Sequence, residues 1–275
     1  MPSLAFCAAG AFVGLAAGRA LALAGRPDGG LALARILAEE LAAGRRDLQA
    51  LAHRWVARHQ SDAHDIDPES SAALAHMARH DAPPSQAAGR GSDPLVRVLP
   101  VALAAYDAPR TLVSASYHIA ALTHPDPMVA WAAVAVNVAL ARFLQGKRDF
   151  VPDVIEALRN NAVPEELLAA MRRVPLPARD VPPEGESRPG LALADAEAAL
   201  RLAYHEPVLE RGLRAVAAPG AVAAGRAGLA GALLGARDGV RAIPEDWTVL
   251  DDRNILGAVA VRLVRVDSGA AASSS

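Results

Sequence analysis

Three stretches of this chain concentrate groups that could do chemistry. The first runs from His59 through Asp62, His64, Asp65 and Asp67 to His76 and His80. The last two lie four residues apart, a spacing that puts two imidazoles on one face of a helix within reach of a metal ion. No glutamate follows His76 as a zinc protease would need, and the acidic residues fall in a polar loop, so a solvated helix face is the expected outcome. The second stretch is a turn rich in small residues, Gly89-Arg-Gly-Ser-Asp93, whose backbone amides could meet a phosphate. The third is Thr123-His-Pro-Asp-Pro127. There His124 either contacts a ligand or caps a turn, with Asp126 beside it. Asp28 stands alone ahead of an apolar run, where an acidic side chain is a good helix N-cap.

These groups must be held by helices. In the 275 residues, hydrophobic side chains make up 52% and aromatic ones 4%. Ala and Leu dominate, and they favour helix, whereas β-branched and aromatic residues favour strand. Apolar spacing predicts helices over residues 4–24, from Asp28 through Leu31, Ile36, Leu37 and Leu41, over 46–59 with Leu48, Leu51, Trp55 and Val56 inward, over 128–144, over 191–203 and over about 254–266, with 206–217 leading into the stretch after Gly220. Another helix begins after Gly220 and places Ala227, Gly231 and Gly235 on one face. Each Gly inside a helix costs roughly 1 kcal/mol against Ala, so such a face implies close approach of another backbone. Gly10, Gly14 and Gly18 repeat the pattern near the N-terminus. Gly239 and Pro244 stop the later helix.

The formal net charge of −2 leaves no footprint for nucleic acid or an anionic membrane. Lys147 is the single lysine and Cys7 the single cysteine, which rules out an intrachain disulfide and suits a reducing cytoplasm. The apolar N-terminus lacks the positive start of a signal peptide, and Arg19 is expected to interrupt it before it could span a bilayer. The proline-rich tract from Val174 to Gly190 is expected to be a surface linker. One helical domain over 1–267 and a disordered tail over 268–275 are expected.

Several motifs, taken in order, resemble the ADP-ribosylglycohydrolase family. Gly10-Ala-Phe-Val-Gly-Leu-Ala-Ala-Gly-Arg-Ala-Leu21 is similar to the family's Gly-x-x-x-Gly-x-x-x-Gly-Asp-Ala-Leu, with Arg19 in place of aspartate. Asp65-Ile66 echoes an Asp-Ile-Gly element. Ser92 to Pro100 resembles Asn-Gly-x-Leu-Met-Arg-x-x-Pro, with Ser92 for Asn and Asp93 for Gly. Thr123-His-Pro-Asp-Pro127 is also similar, as are Ala230-Gly-Ala-Leu-Leu-Gly-Ala236 and Ala242-Ile-Pro-Glu-Asp-Trp247. The resemblance implies an all-α, single compact orthogonal bundle. It also implies hydrolysis of ADP-ribosyl bonds at a two-magnesium centre, with His124 and the 89–92 turn against ADP-ribose.

Here the family's ligand positions are degenerate. Where the family has Thr-Asp-Asp-Thr, this chain has Pro27, Asp28, Gly29 and Gly30. Where it has Asp-x-Asp-Thr, the matched positions are Val222, Ala224 and Gly225. Magnesium takes oxygen ligands, and of these only Asp28 offers one. No metal or other cofactor is therefore expected, and the ligand-cleft candidates are Asp28, Gly89, Gly91, Ser92, Asp93, His124 and Asp126. A catalytically inactive binding or regulatory protein of unidentified partner is the leading reading. The alternatives are a metal-independent enzyme using His124, Asp28 and Asp93 on a small molecule, or residual hydrolysis of ADP-ribosyl bonds with ligands elsewhere. With Asp28 and Asp93 unscreened beside the pyrophosphate, ADP-ribose is expected to bind more weakly than about 1 mM.

Overall fold

Ser3 opens the first helix, its Oγ accepting from the Phe6 amide at 3.4 Å. The computed structural model describes residues 2–24, 26, 28–159, 161–177, 191–217 and 219–270. In chain order the helices are α1 Leu4–Leu23, α2 Gly29–Ala42, α3 Leu48–Ser61, α4 Pro68–His80, α5 Asp93–Arg97, α6 Leu99–Ala104 and α7 Pro109–Ala121. There follow α8 Pro127–Leu144, α9 Val151–Arg159, α10 Glu165–Arg173, α11 Ala192–His205, α12 Leu209–Val216, α13 Ala221–Asp238 and α14 Leu250–Ala270. Two short 3-10 turns, Val240–Ala242 and Glu245–Trp247, join α13 to α14. Among the described residues there is no strand, only an isolated antiparallel bridge between Gly91 and Leu191. The fold is all-α.

Local chemistry sets the helix starts. Asp28, Asp47, Asp67 and Asp126 each accept a backbone N–H of the helix that follows, at 2.8–3.0 Å for the shortest bond. Pro68, Pro94, Pro100, Pro109 and Pro127 sit in first turns, where the missing N–H has no partner to lose. α5 and α6, which follow the glycine turn and which the apolar spacing does not predict, each carry such a proline. The last helix is longer than its apolar spacing indicated and runs through Ala270; residues 271–275 lie outside the described ones.

α1 and α13 form the antiparallel spine of the molecule. A Cβ built on Gly14 would lie 2.8 Å from the carbonyl carbon of Gly231, and one on Gly231 would lie 2.8 Å from that of Gly14. Gly10 and Gly235 repeat the relation, and Gly18 faces Ala227. Backbone meets backbone here, the close approach that the spacing of small residues implied. α8 crosses behind this pair with every residue but Pro127 and Arg142 buried, the mark of a core helix. One apolar cluster extends from Cys7 in α1 to Val264 in α14.

Arg19 does not shorten α1. Both α1 and α8 are long and apolar enough to cross a membrane by length and composition, yet 72% and 89% of their spans are buried inside the bundle. The proline-rich tract is described only as far as Pro177. Val174 is buried there and Leu176 exposed, while 178–190 lie outside the described residues.

Candidate functional site

The starts of α2, α4 and α5 converge beside the C-terminal half of α1, and a guanidinium occupies the junction. Arg19 Nε donates to Asp28 Oδ2 at 2.6 Å and Oδ1 at 2.8 Å, and Nη1 donates to Asp93 Oδ1 at 2.7 Å. Arg19 is only 4% exposed. Burial by itself would depress its pKa, but Asp93 and Asp28 outweigh that and raise it, so the side chain stays charged. Burial would likewise raise Asp93. Arg19, then Arg97, instead hold it below the usual carboxylate range. Asp28 is at once helix cap and ion-pair partner, since its Oδ1 also accepts from the Leu31 amide at 3.0 Å.

Glycine makes room for that arrangement. A Cβ on Gly30 would stand 2.6 Å from Arg19 Nη2 and 2.8 Å from Asp93 Oδ1, and one on Gly228 would stand 2.7 Å from Arg19 Cγ. The arginine thus threads between α2 and α13 through a channel that only glycines leave open. Gly29 packs its α-carbon against the Asp65 carbonyl, to which its amide donates at 3.0 Å. A side chain on Gly225 would run into Ser92 Oγ and come within 3.2 Å of Asp195 Oδ2. Asp195 is fully buried and paired with Arg226 at 2.9 Å.

On the other side of Asp93, Glu69 reaches into the glycine turn. Its Oε2 accepts the Gly91 amide at 2.7 Å and lies 3.0 Å from His124 Nε2. Thr123 Oγ1 is 3.1 Å from His124 Nδ1, so both imidazole nitrogens have partners. Burial, then the positive charge of Arg97, pushes the His124 pKa down to about 4, and the ring is neutral at pH 7. Asp67 completes a group with Glu69 and His124 whose ligand atoms lie within 4.8 Å of one another. Burial and then Asp93 raise its pKa. Arg97 is fully buried beside these acids. It bonds Ser70 Oγ at 2.8 Å and stacks over Trp55, while its Nε and Nη1 have no hydrogen-bond partner among the described residues.

A family model described as ADP-ribosylglycohydrolase matches residues 7–272. The chain belongs to the ADP-ribosylglycohydrolase family. It is similar to a solved structure described as an ADP-ribosylglycohydrolase-related protein complex, with a TM-score of 0.76 at 26% identity over 96% of this chain and 99% of that one. No curated protein sequence matches it.

Against the ADP-ribosylglycohydrolase pattern, the structure brings Asp28, Asp93, Ser92, Gly91 and His124 into one region. Asp126 instead caps α8 and pairs with Arg90 at 2.8 Å, tying the glycine turn to that helix. A Cβ on Gly89 would meet the Glu69 carboxylate. Of the positions matched to metal ligands, Gly29, Gly30, Ala224 and Gly225 offer no side-chain oxygen. Val222 is 62% exposed, and Pro27 lies outside the described residues. The expectation that Asp28 and Asp93 stand unscreened is corrected: both pair with Arg19, whose one positive charge offsets one of their two negative charges.

The histidine-rich stretch does not assemble a ligand set. His76 and His80 face each other as rings with centroids 4.4 Å apart, His59 bonds Ser71 Oγ at 2.8 Å, and His64 is fully solvent-facing near Asp62. Asp65 pairs with Arg58 at 2.6 Å. Sequence reading missed Glu69, Asp195 and Arg226, and marked Arg97 only as the match to the family's Arg in the Ser92–Pro100 element. Glu69 carried one usable signal, its place two residues after the capping Asp67. The sequence also marked Arg19 as a departure from the family's aspartate without showing where its charge goes.

Proposed function

We propose that this chain is a non-hydrolytic ADP-ribosylglycohydrolase-family protein that holds no magnesium pair and acts in the cytoplasm by binding a partner. The observation that carries the reading is the guanidinium of Arg19 seated on Asp28, the one matched ligand position with a carboxylate. A magnesium pair would polarise the ribose and lower the pKa of a water when bound. Such a centre needs several anionic oxygens. Here the matched positions supply one, already bonded to a cation, and the space that longer side chains would need is filled by Arg19 and Ser92.

The remaining groups also make poor hydrolytic machinery. His124 is fully buried, and with a pKa of about 4 it is a weak base at neutral pH. Glu69 holds the Gly91 amide, so a carboxylate of the protein stands where a phosphate of the ligand would otherwise be received. A binding role agrees with the solved relative's description as a protein complex. The single buried thiol of Cys7 agrees with a reducing compartment.

Incubation with an ADP-ribosyl-arginine peptide and Mg²⁺ or Mn²⁺, followed by mass spectrometry, tests this. The peptide should remain intact over hours. Metal-dependent release of ADP-ribose that disappears on chelation would overturn the reading.

A further inference from the structure

We propose that a cavity between α2, α3, α6 and α7 is a binding site for a small uncharged aliphatic ligand. It measures about 80 Å³ and is walled by Leu37 and Leu41 of α2, Leu51 of α3, Val101 of α6 and Ile119 of α7. Glu40 also lines it, and about 16 Å of helix rise separates Glu40 from Gly29 at the start of α2. The cavity is thus a place apart from the Arg19 junction. Interiors are close-packed, and voids larger than a water molecule are few. Alanines leave this one: Ala104 and Ala105 at the end of α6 and Ala115 in α7 line it where longer side chains would close it.

The lining sets the size and the polarity of the ligand. A buried water needs polar partners, which aliphatic walls do not supply, and an apolar cavity of roughly 150 Å³ stays dry and takes up benzene or xenon. On that scale a cavity of about 80 Å³ holds roughly three or four carbon atoms, an isopropyl or isobutyl group. The charged residues of the lining are Glu40, Arg45, Arg46 and Asp47, and each is already engaged. Glu40, only 4% exposed, accepts from Arg45 at 2.6 and 2.8 Å and from Arg54 as well. Asp47 accepts the Gln49 and Ala50 amides at 2.8 and 3.2 Å, and Arg46 is partnered too. An ionic ligand would have to break one of these contacts or be buried without a counter-charge, which is costly. A hydroxyl carries no such penalty, because it can stay on the water side beside the exposed Thr111. Leu48 lines the cavity yet is 37% exposed, so the apolar wall reaches the surface, where a ligand enters.

Isobutanol, isobutyrate and xenon test this on the full chain. In ¹H–¹³C methyl spectra, isobutanol should shift the signals of Leu37, Leu51, Val101 and Ile119 saturably and leave Leu233 of α13 unmoved. Half-saturation should fall at roughly 10–100 mM, since so few carbons are buried. Isobutyrate, which has the same tail, should need at least about tenfold more. Ala115→Leu fills the cavity and should abolish the response while keeping a helical circular dichroism spectrum. If that variant does not fold, Ala104→Val serves as the filled chain. A crystal pressurised with xenon should show an anomalous peak between α2 and α7. Unmoved methyls, a response that persists in the filled chain, isobutyrate binding as tightly as isobutanol, or a xenon crystal without that peak would each overturn the inference. None of these readouts involves ADP-ribosyl bonds, so failure here leaves the proposed function standing, and the reverse also holds.

Discussion

Replacing Gly14 by alanine probes the spine on which every group of the site is mounted. In an ordinary helix interior this substitution stabilises by roughly 1 kcal/mol. Here the new methyl carbon would lie 2.8 Å from the Gly231 carbonyl carbon, where two carbon atoms sit comfortably only at about 3.5–4.0 Å. The obstacle is backbone in the middle of a helix, so no rotamer change relieves it, and α1 and α13 must part locally by roughly 1 Å. Overpacking of this kind costs about 1–3 kcal/mol and occasionally more. At the upper end of that range, the propensity gain leaves a net loss of about 2 kcal/mol. Unfolding entropy of roughly 2 cal/mol/K per residue turns that into a fall of about 3–4 °C. Gly257 in α14 is the control, since a Cβ there would rest 3.7 Å from Ala9 Cβ in ordinary contact. Gly257→Ala should therefore melt up to about 2 °C higher. Melting followed by far-ultraviolet circular dichroism reads both. A Gly14→Ala chain as stable as the unmodified protein would refute the close-approach account of the spine.

The remaining predictions concern the buried polar groups. His124 has its pKa depressed on folding from 6.5 to about 4, so the unfolded chain binds the extra proton first; its contribution is complete above pH 6.5 and is lost as pH falls towards 4. The loss should be about 3 kcal/mol, absent in His124→Gln, and a urea-derived stability that is flat from pH 6.5 to 4.5 would contradict it. ADP-ribose should bind more weakly than about 1 mM by calorimetry, because the Glu69 carboxylate holds the Gly91 amide. Glu69→Ala, which frees that amide, should tighten binding; micromolar binding by the unmodified chain would show that the glycine turn is open.

Much of the scaffold was legible because its signals are periodic. Small residues at intervals of four in residues 10–18 and 227–235 announced helix faces in close contact with another backbone, and Asp28 announced a helix start. The short helices α9 and α10 carried too few turns for their apolar spacing to stand out. The site was legible only in part, because its decisive contacts are long-range. Arg19 and Asp93 are 74 residues apart in the chain, and Glu69 and His124 are 55 apart. Motif matching marked Arg19 and Asp93 as separate departures, one an added cation and the other an added anion. Only the fold shows that they pair, which halves the unscreened negative charge expected at the starts of α2 and α5.

A crystal grown or soaked with Mn²⁺ tests the central claim most directly, because the ion can be located by its anomalous scattering. The account predicts no manganese peak at the start of α2, with the Arg19 guanidinium still bonded to Asp28 and Asp93. A pair of manganese peaks on Asp28, with Arg19 displaced, would contradict it.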